Sequence, residues 1–377
     1  MNPPDLEQNS TIPDRTGSPV LTSRERVNRA MERRDHDRIP RHESFWPETI
    51  TRWQKEGLDG DADKVLELLQ SDFHSLCWCW PMAFPGAELT VSEDDETKVT
   101  RDAQGKLVRY WKHKSGTPEH LGFECDSPEI WAKKFKPGLL ANAMQLDVDA
   151  VADAYKRGRM GDKWTFLTGV DPFEETRSLM GDEITLMAMI EEPEWVRDVA
   201  VTFTDVVLRN FDAAISSGIK PDGLWIYGDM AFKTATMCSP SLYRELIWPE
   251  HKRFADWAHA HGMKCIFHTD GDVNSVIEDY IEAGFDCLQP LESKASMDIR
   301  NLCPRYGDRL SFFGNIDIMV MMTNDMDLIE AEICAKLAAG KLARNYIYHS
   351  DHSVPPQVSW ETYQKVIRLV DRYGNYE

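Results

Sequence analysis

The stretch Lys264-Cys265-Ile266-Phe267-His268-Thr269-Asp270-Gly271-Asp272 joins a short apolar run to a histidine and, two residues later, an aspartate. An apolar run of this kind reads as a buried parallel strand. Side chains two apart in an extended segment point to one side, so His268 and Asp270 can reach one ion or one substrate. The segment Tyr348-His349-Ser350-Asp351-His352 offers two further imidazoles and a carboxylate. Catalytic zinc keeps three protein ligands and one open position. His268, Asp270 and His352 are the best candidate set, with His349 or Asp351 as alternatives to His352. The competing reading is that these histidines are hydrogen-bonded loop groups. His251, His259 and His261 fall on a polar amphipathic helix and are expected to be solvated.

The elements that must position these groups are legible as an alternation. Apolar strand candidates run from Trp164 to Gly169, Gly223 to Tyr227, Lys264 to His268, Cys287 to Pro290, Leu310 to Gly314 and Tyr346 to Tyr348. Amphipathic helices separate them, at Pro193 to Ser216, Ser241 to His261, Val273 to Ala283 and Leu328 to Ala339. Earlier come a helix capped by Thr22 or Ser23, a short strand over Asp37 to His42, and an apolar run from Phe73 to Trp80. Thr90 to Lys112 reads as a β-hairpin insertion. About eight strands in strand–helix units imply an α/β (β/α)8 barrel with an N-terminal helical extension. An open doubly wound sheet is the alternative, but no G-x-G-x-x-G or Walker-type loop is present.

In a barrel the chemistry sits at the C-terminal ends of the strands. Those ends supply Glu43, Tyr227 and Asp229 as acid–base candidates. Glu174, Gln289, Asn315 and Asp317, together with Trp46, are candidates for substrate binding. Polar strand ends also serve as helix caps and turns. Trp46, Trp53, Trp78, Trp80 and Trp111 could line an apolar or aromatic pocket, although tryptophans more often fill cores. Cys77 and Cys79 form a C-x-C in an aromatic run and read as packing residues.

Composition sets limits. The net charge of -20 argues against a nucleic-acid partner, since phosphate contacts need an excess of Lys and Arg. No apolar run is long enough to span a bilayer. Residues 1–20 read as a polar, disordered leader without a signal-peptide core, followed by one domain over 21–377. Eight cysteines without a secretion signal suggest reduced thiols and a cytoplasmic protein.

Taken together, these segments resemble the uroporphyrinogen decarboxylase-like superfamily from about Thr22 to Val370. The resemblance rests on Leu21 to Val27 with Asp37-Arg38-Ile39-Pro40, on Leu224-Trp225-Ile226-Tyr227-Gly228-Asp229-Met230-Ala231, and on Ser239 to Glu245. It extends through His268-Thr269-Asp270-Gly271-Asp272, Glu282 to Pro290, and Phe312-Phe313-Gly314-Asn315-Ile316-Asp317. It implies a (β/α)8 barrel and a possible homodimer. True decarboxylases of this family carry an arginine-rich R-Q-A-G-R segment for the substrate's carboxylates. Here that stretch is Arg41-His42-Glu43-Ser44-Phe45-Trp46-Pro47, a poor match for a polyanionic porphyrinogen.

The corrinoid-dependent methyltransferase branch typically binds zinc through an H-x-C pair and a later cysteine. His268 matches that histidine, while Asp270 and His352 fall where the thiolates would be. A His/Asp/His site leaves zinc a stronger Lewis acid than a thiolate site does. The resemblance therefore implies a zinc-dependent transferase that moves a methyl group from a small O- or N-methylated donor to a corrinoid (cobalamin). The chain has no D-x-H-x-x-G motif of its own, so the corrinoid is expected on a partner protein. Alternatives are a lyase or hydrolase acting on a small carboxylate, or a non-catalytic relative.

Overall fold

A computed structural model describes residues 21–113 and 118–376. The expected leader, residues 1–20, lies outside the described residues. Seven parallel strands form one curled sheet. They are β1 (Phe73–Ser75), β6 (Trp164–Val170), β7 (Gly223–Tyr227), β8 (Lys264–Thr269), β9 (Cys287–Pro290), β10 (Ser311–Phe313) and β11 (Tyr346–Ile347), in that spatial order. The segment Ile39–His42 closes the gap between its edges. Arg41 bridges Tyr348 in parallel on one side, and the Asp72 N–H donates to the Arg41 carbonyl at 2.8 Å on the other. The result is a (β/α)8-type barrel whose eighth stave pairs too briefly to count as a strand.

The interior of the barrel is aromatic. Phe73, Trp164, Phe166, Trp225 and Phe313 pack with Ile266 and Ile347 into one buried cluster, which Val27 and Met31 of the helix Ser23–Met31 complete. That helix plugs the N-terminal mouth. Thr22 caps it in a reciprocal capping box with Glu25. Outside, the helix Pro193–Ser216 buries Val196, Val199, Ala200, Phe203, Val207, Phe211 and Ala214, an i, i+3, i+4 stripe laid against the sheet.

The structure extends the sequence reading at three places. The expected hairpin is a four-stranded antiparallel sheet of β2 (Leu89–Glu93), β3 (Thr97–Arg101), β4 (Leu107–Trp111) and β5 (Glu119–Gly122). The single helix read from Ser241 to His261 is two, Pro240–Leu246 and Trp248–Ala260. Pro249 accounts for the break, because it has no N–H to donate and its ring crowds the preceding turn. His251 is not solvated. It is 0% exposed, because Ile247, His251, Phe254 and Ala258 form the inward stripe of the second helix.

No helix among the described residues is long and apolar enough to cross a membrane. All eight cysteines are free.

Candidate functional site

A cavity of about 690 Å³ opens where the strands end, with Phe166, Thr168 and Trp225 at its base. β8 delivers His268 and Asp270 into it, and the turn after β7 delivers Asp229. Gly271 makes the tight exit from β8 possible. Its φ is +86°, and a Cβ there would lie 2.4 Å from the Ala231 carbonyl oxygen. Gly228 lets the β7 turn pass over Asp171, whose Cγ would be 2.2 Å from an added Cβ.

Asp229, His268 and Asp270 each offer one donor atom within 4.8 Å of the other two. His268 Nε2 stands 3.7 Å from Asp229 Oδ1, and the Asp270 N–H donates to that same oxygen at 3.1 Å. Ligands held about 2.0–2.2 Å from a tetrahedral zinc lie roughly 3.5 Å apart, so the spacing is near what zinc needs. His268 Nδ1–H donates to Gln289 Oε1, which leaves the Nε2 lone pair free for a ligand. Asp270 Oδ1 is buried without a hydrogen-bond partner, the condition a cation would relieve. Burial, with Asp229 and Glu292 nearby, pushes the Asp270 carboxyl up to about 6. This donor set fits a metal.

Of the ligands expected from sequence, His268 and Asp270 fall in this compact group, and Asp229 supplies its third donor. His352 lines the same cavity, stacked on Trp46 at 5.9 Å. His349 also lines it. Its Nδ1–H donates to the Ser350 carbonyl at 2.5 Å, and Ser44 Oγ lies 3.2 Å from its Nε2. Asp351 faces away, accepting from the Ser293 and Ile318 amides. Gln289 is expected to orient His268. Gln289→Ala should weaken binding of a metal at this group, zinc being the probe, roughly 10–100-fold, measured by chelator competition, and an unchanged affinity would remove its orienting role.

The acid–base candidates separate. Tyr227 O–H donates to Asp229 Oδ2 at 3.4 Å, and its ring lies 4.7 Å from that of His268. Glu174 lines the cavity. Arg177 holds it at 2.9 Å, and burial pushes its carboxyl up to about 7. Glu43 is not among the lining residues. It sits behind His349, accepting from Ser350 Oγ at 2.7 Å.

Burial pushes the Glu43 carboxyl from its usual 4.5 up to about 8. Between those pH values the folded chain keeps a proton that the unfolded chain has lost. The stability this group contributes is full below about 4.5 and is lost as pH rises through 8. Glu43→Gln mimics the neutral acid. At about 1.4 kcal/mol per pKa unit, it should stabilise by a few kcal/mol at pH 8 and be close to neutral at pH 4.5. Denaturant titrations at both pH values check the sign.

Gln289 and Trp46 line the cavity, whereas Asn315 and Asp317 do not. Asn315 Nδ2 donates to the Leu291 and Met297 carbonyls and its Oδ1 accepts from the Ile299 amide. Asp317 caps the helix Ile318–Met322. The tryptophans do not act as one cluster. Trp46 and Trp78 face the cavity, Trp53 is in the core, Trp80 donates to Glu175, and Trp111 ends β4. Arg177 and His120 are lining residues that sequence reading missed. Arg177 is three residues beyond Glu174, on the same helical face, a spacing that could have flagged it. His120 arrives on β5 of the insertion, where no local pattern marks it.

Residues 166–373, more than half of the chain, match the family described as uroporphyrinogen decarboxylase (URO-D). No curated protein matches significantly. Among solved structures, a methyltransferase from Methanosarcina mazei superposes with a TM-score of 0.66 at 16% identity, covering 94% of this chain and 99% of its own. At that identity the likeness establishes a shared fold. A chitinase from Chromobacterium violaceum aligns at a TM-score of 0.30 and 10% identity, over 61% of this chain and 85% of its own.

Proposed function

The chain belongs to the uroporphyrinogen decarboxylase (URO-D) family, and from that premise we propose a zinc-dependent methyltransferase acting from an O- or N-methylated donor to a corrinoid on a partner protein. The observation that carries this reading is the three-donor group Asp229, His268 and Asp270, with its unpartnered buried Asp270 Oδ1, on the wall of a cavity at the barrel mouth. His352 lines the same cavity and is the further candidate ligand. Porphyrinogen decarboxylation is disfavoured by charge. Arg41 is buried and paired with Asp371, and Arg177 is the one Lys or Arg among the residues lining the cavity.

Zinc held by this set would act as a Lewis acid toward the heteroatom that carries the methyl group. The remaining chemistry belongs to the chain. His268 is held in one tautomer by Gln289, and Asp229 is fixed by Tyr227 O–H and by its own N–H donating to Glu174 at 3.4 Å. Aromatic side chains on the cavity wall lower the local polarity and strengthen polar contacts beside them. Transfer of the methyl group to a reduced corrinoid would leave the bonding pair of its C–O or C–N bond on the heteroatom, which would then need one proton. Glu174 is the donor best placed to give it. Its Oε2 is taken by Arg177 and the Asp229 amide, and a carboxyl at about 7 is still substantially protonated at neutral pH.

The test is transfer of a ¹³C-methyl group from a panel of methylated donors to reduced corrinoid by zinc-supplied protein. Label recovered in the corrinoid supports the reading. Label that stays in the donor while carbon dioxide is released from a carboxylate substrate would replace it with the lyase reading.

A further inference from the structure

Three features of the cavity narrow the donor. The first is size. Methanol or methylamine, about two waters in bulk, would fill roughly a tenth of the 690 Å³ space. A cavity of this volume is matched to a larger ligand, with specificity set by a few polar groups.

The second is lining. Trp46 and Trp78 flank the mouth, 41% and 54% exposed, which is unusual for side chains so costly to leave in water. Trp78 stands 5.5 Å from Tyr227, and Phe166 and Trp225 meet at 5.1 Å on the floor. Ring faces therefore run from the mouth to the metal-competent group.

The third is charge. Arg177 is already engaged by Glu174, Asp182 and the Asp229 carbonyl. Asp229 and Asp270 face each other and His268. Apart from a metal held by that group, no Lys or Arg lining the cavity is left to pair with a carboxylate, phosphate or sulfonate at the far end of the donor.

We infer that the donor is a neutral aryl methyl ether, its ring held between Trp46 and Trp78 and its methoxy oxygen directed at the Asp229–His268–Asp270 group. The inference rests on the methyltransferase reading only for what becomes of the methyl group. Ring binding stands apart from it. A flat neutral ring gains apolar burial and offset stacking from these walls. A carboxylated ring would have to leave its charge unpaired in the same space.

Calorimetric titration of the zinc-supplied full chain with 4-methoxyphenol, 4-methoxybenzoate, methanol, trimethylamine and choline tests this. The expected result is binding of 4-methoxyphenol at least tenfold tighter than 4-methoxybenzoate and at least a hundredfold tighter than methanol or trimethylamine. Trp78→Ala should weaken it tenfold or more, and Trp78→Phe should restore most of the loss. Trp78 is half exposed, so its variants should keep their fold, and a thermal melt verifies that. Tighter binding of choline or of the benzoate, or a Trp78→Ala variant that binds as well as the parent, would overturn the inference. A labelled-methyl assay separates the two readings. Ether binding without methyl transfer would preserve the ring site and sink the transferase reading. Transfer from methanol or trimethylamine without ether binding would do the reverse.

Discussion

Replacing His268 with alanine is expected to remove zinc from the protein and, with it, methyl transfer. The loss should exceed the roughly 10–100-fold that follows removal of a group merely orienting a ligand, because a metal donor itself disappears. His268 is partly exposed at the barrel mouth, with its ring against Tyr227 rather than in the core, so the fold should survive. Asp270→Asn tests the same site with almost no change in shape. It keeps a polar group where Oδ1 now stands unpartnered but removes the charge that attracts the ion. Elemental analysis beside a thermal melt reads both variants. Full zinc content in either would show that the metal, if bound, is held elsewhere.

The second large effect is expected at Asp171, a residue outside the cavity. Its Oδ2 meets His251 Nε2 at 2.8 Å, and His251 Nδ1 lies 3.0 Å from Tyr243 O–H. All three side chains are fully buried. Its Oδ1 caps the helix Pro172–Met180, accepting the Glu174 amide at 2.5 Å. Asp171→Ala leaves His251 without its partner in an apolar setting and uncaps the helix that carries Glu174 and Arg177. Removing one member of a buried pair costs about 3–5 kcal/mol, and losing a cap adds about 1 kcal/mol. Urea denaturation should register that loss, and Asp171→Asn should recover part of it. A change under about 1 kcal/mol would mean that the Asp171–His251–Tyr243 chain does not anchor this side of the site.

The barrel was legible because its strands are apolar runs closed by glycine, proline or acidic turns. Gly223–Tyr227 and Cys287–Pro290 fall where the pattern put them. The eighth stave was read as a short strand over Asp37 to His42, on weaker grounds than the others. Ile39–His42 has little apolar pattern of its own and is fixed by Tyr348 and Asp72, residues distant in sequence. The fourth strand of the insertion escaped for a related reason. Glu119–Gly122 is short and exposed, so burial leaves no alternation in it.

At the site, His268, Asp270, Asp229, Tyr227, Glu174, Gln289 and His352 were readable as strand-end residues and Trp46 as an aromatic pocket residue, and the fold brings them to one cavity. Asn315 carried the same signal for another reason, since its amide ties three loops together. A polar residue after a strand has the same appearance whether it faces ligand or backbone, and only the fold separates the two. His251 was misread because its neighbours at i−1 and i+1, Glu250 and Lys252, are charged, while the apolar stripe that buries it lies at i−4, i+3 and i+7.

We propose that a donor set of nitrogen and oxygen, without sulfur, holds one zinc at this barrel mouth. X-ray absorption spectroscopy of zinc-supplied protein tests it most directly. One zinc per chain is expected, with a shell of nitrogen and oxygen at about 2.0–2.2 Å, at least one imidazole among them, lost together in His268→Ala. A sulfur shell at about 2.3 Å, or no bound zinc at all, would contradict it.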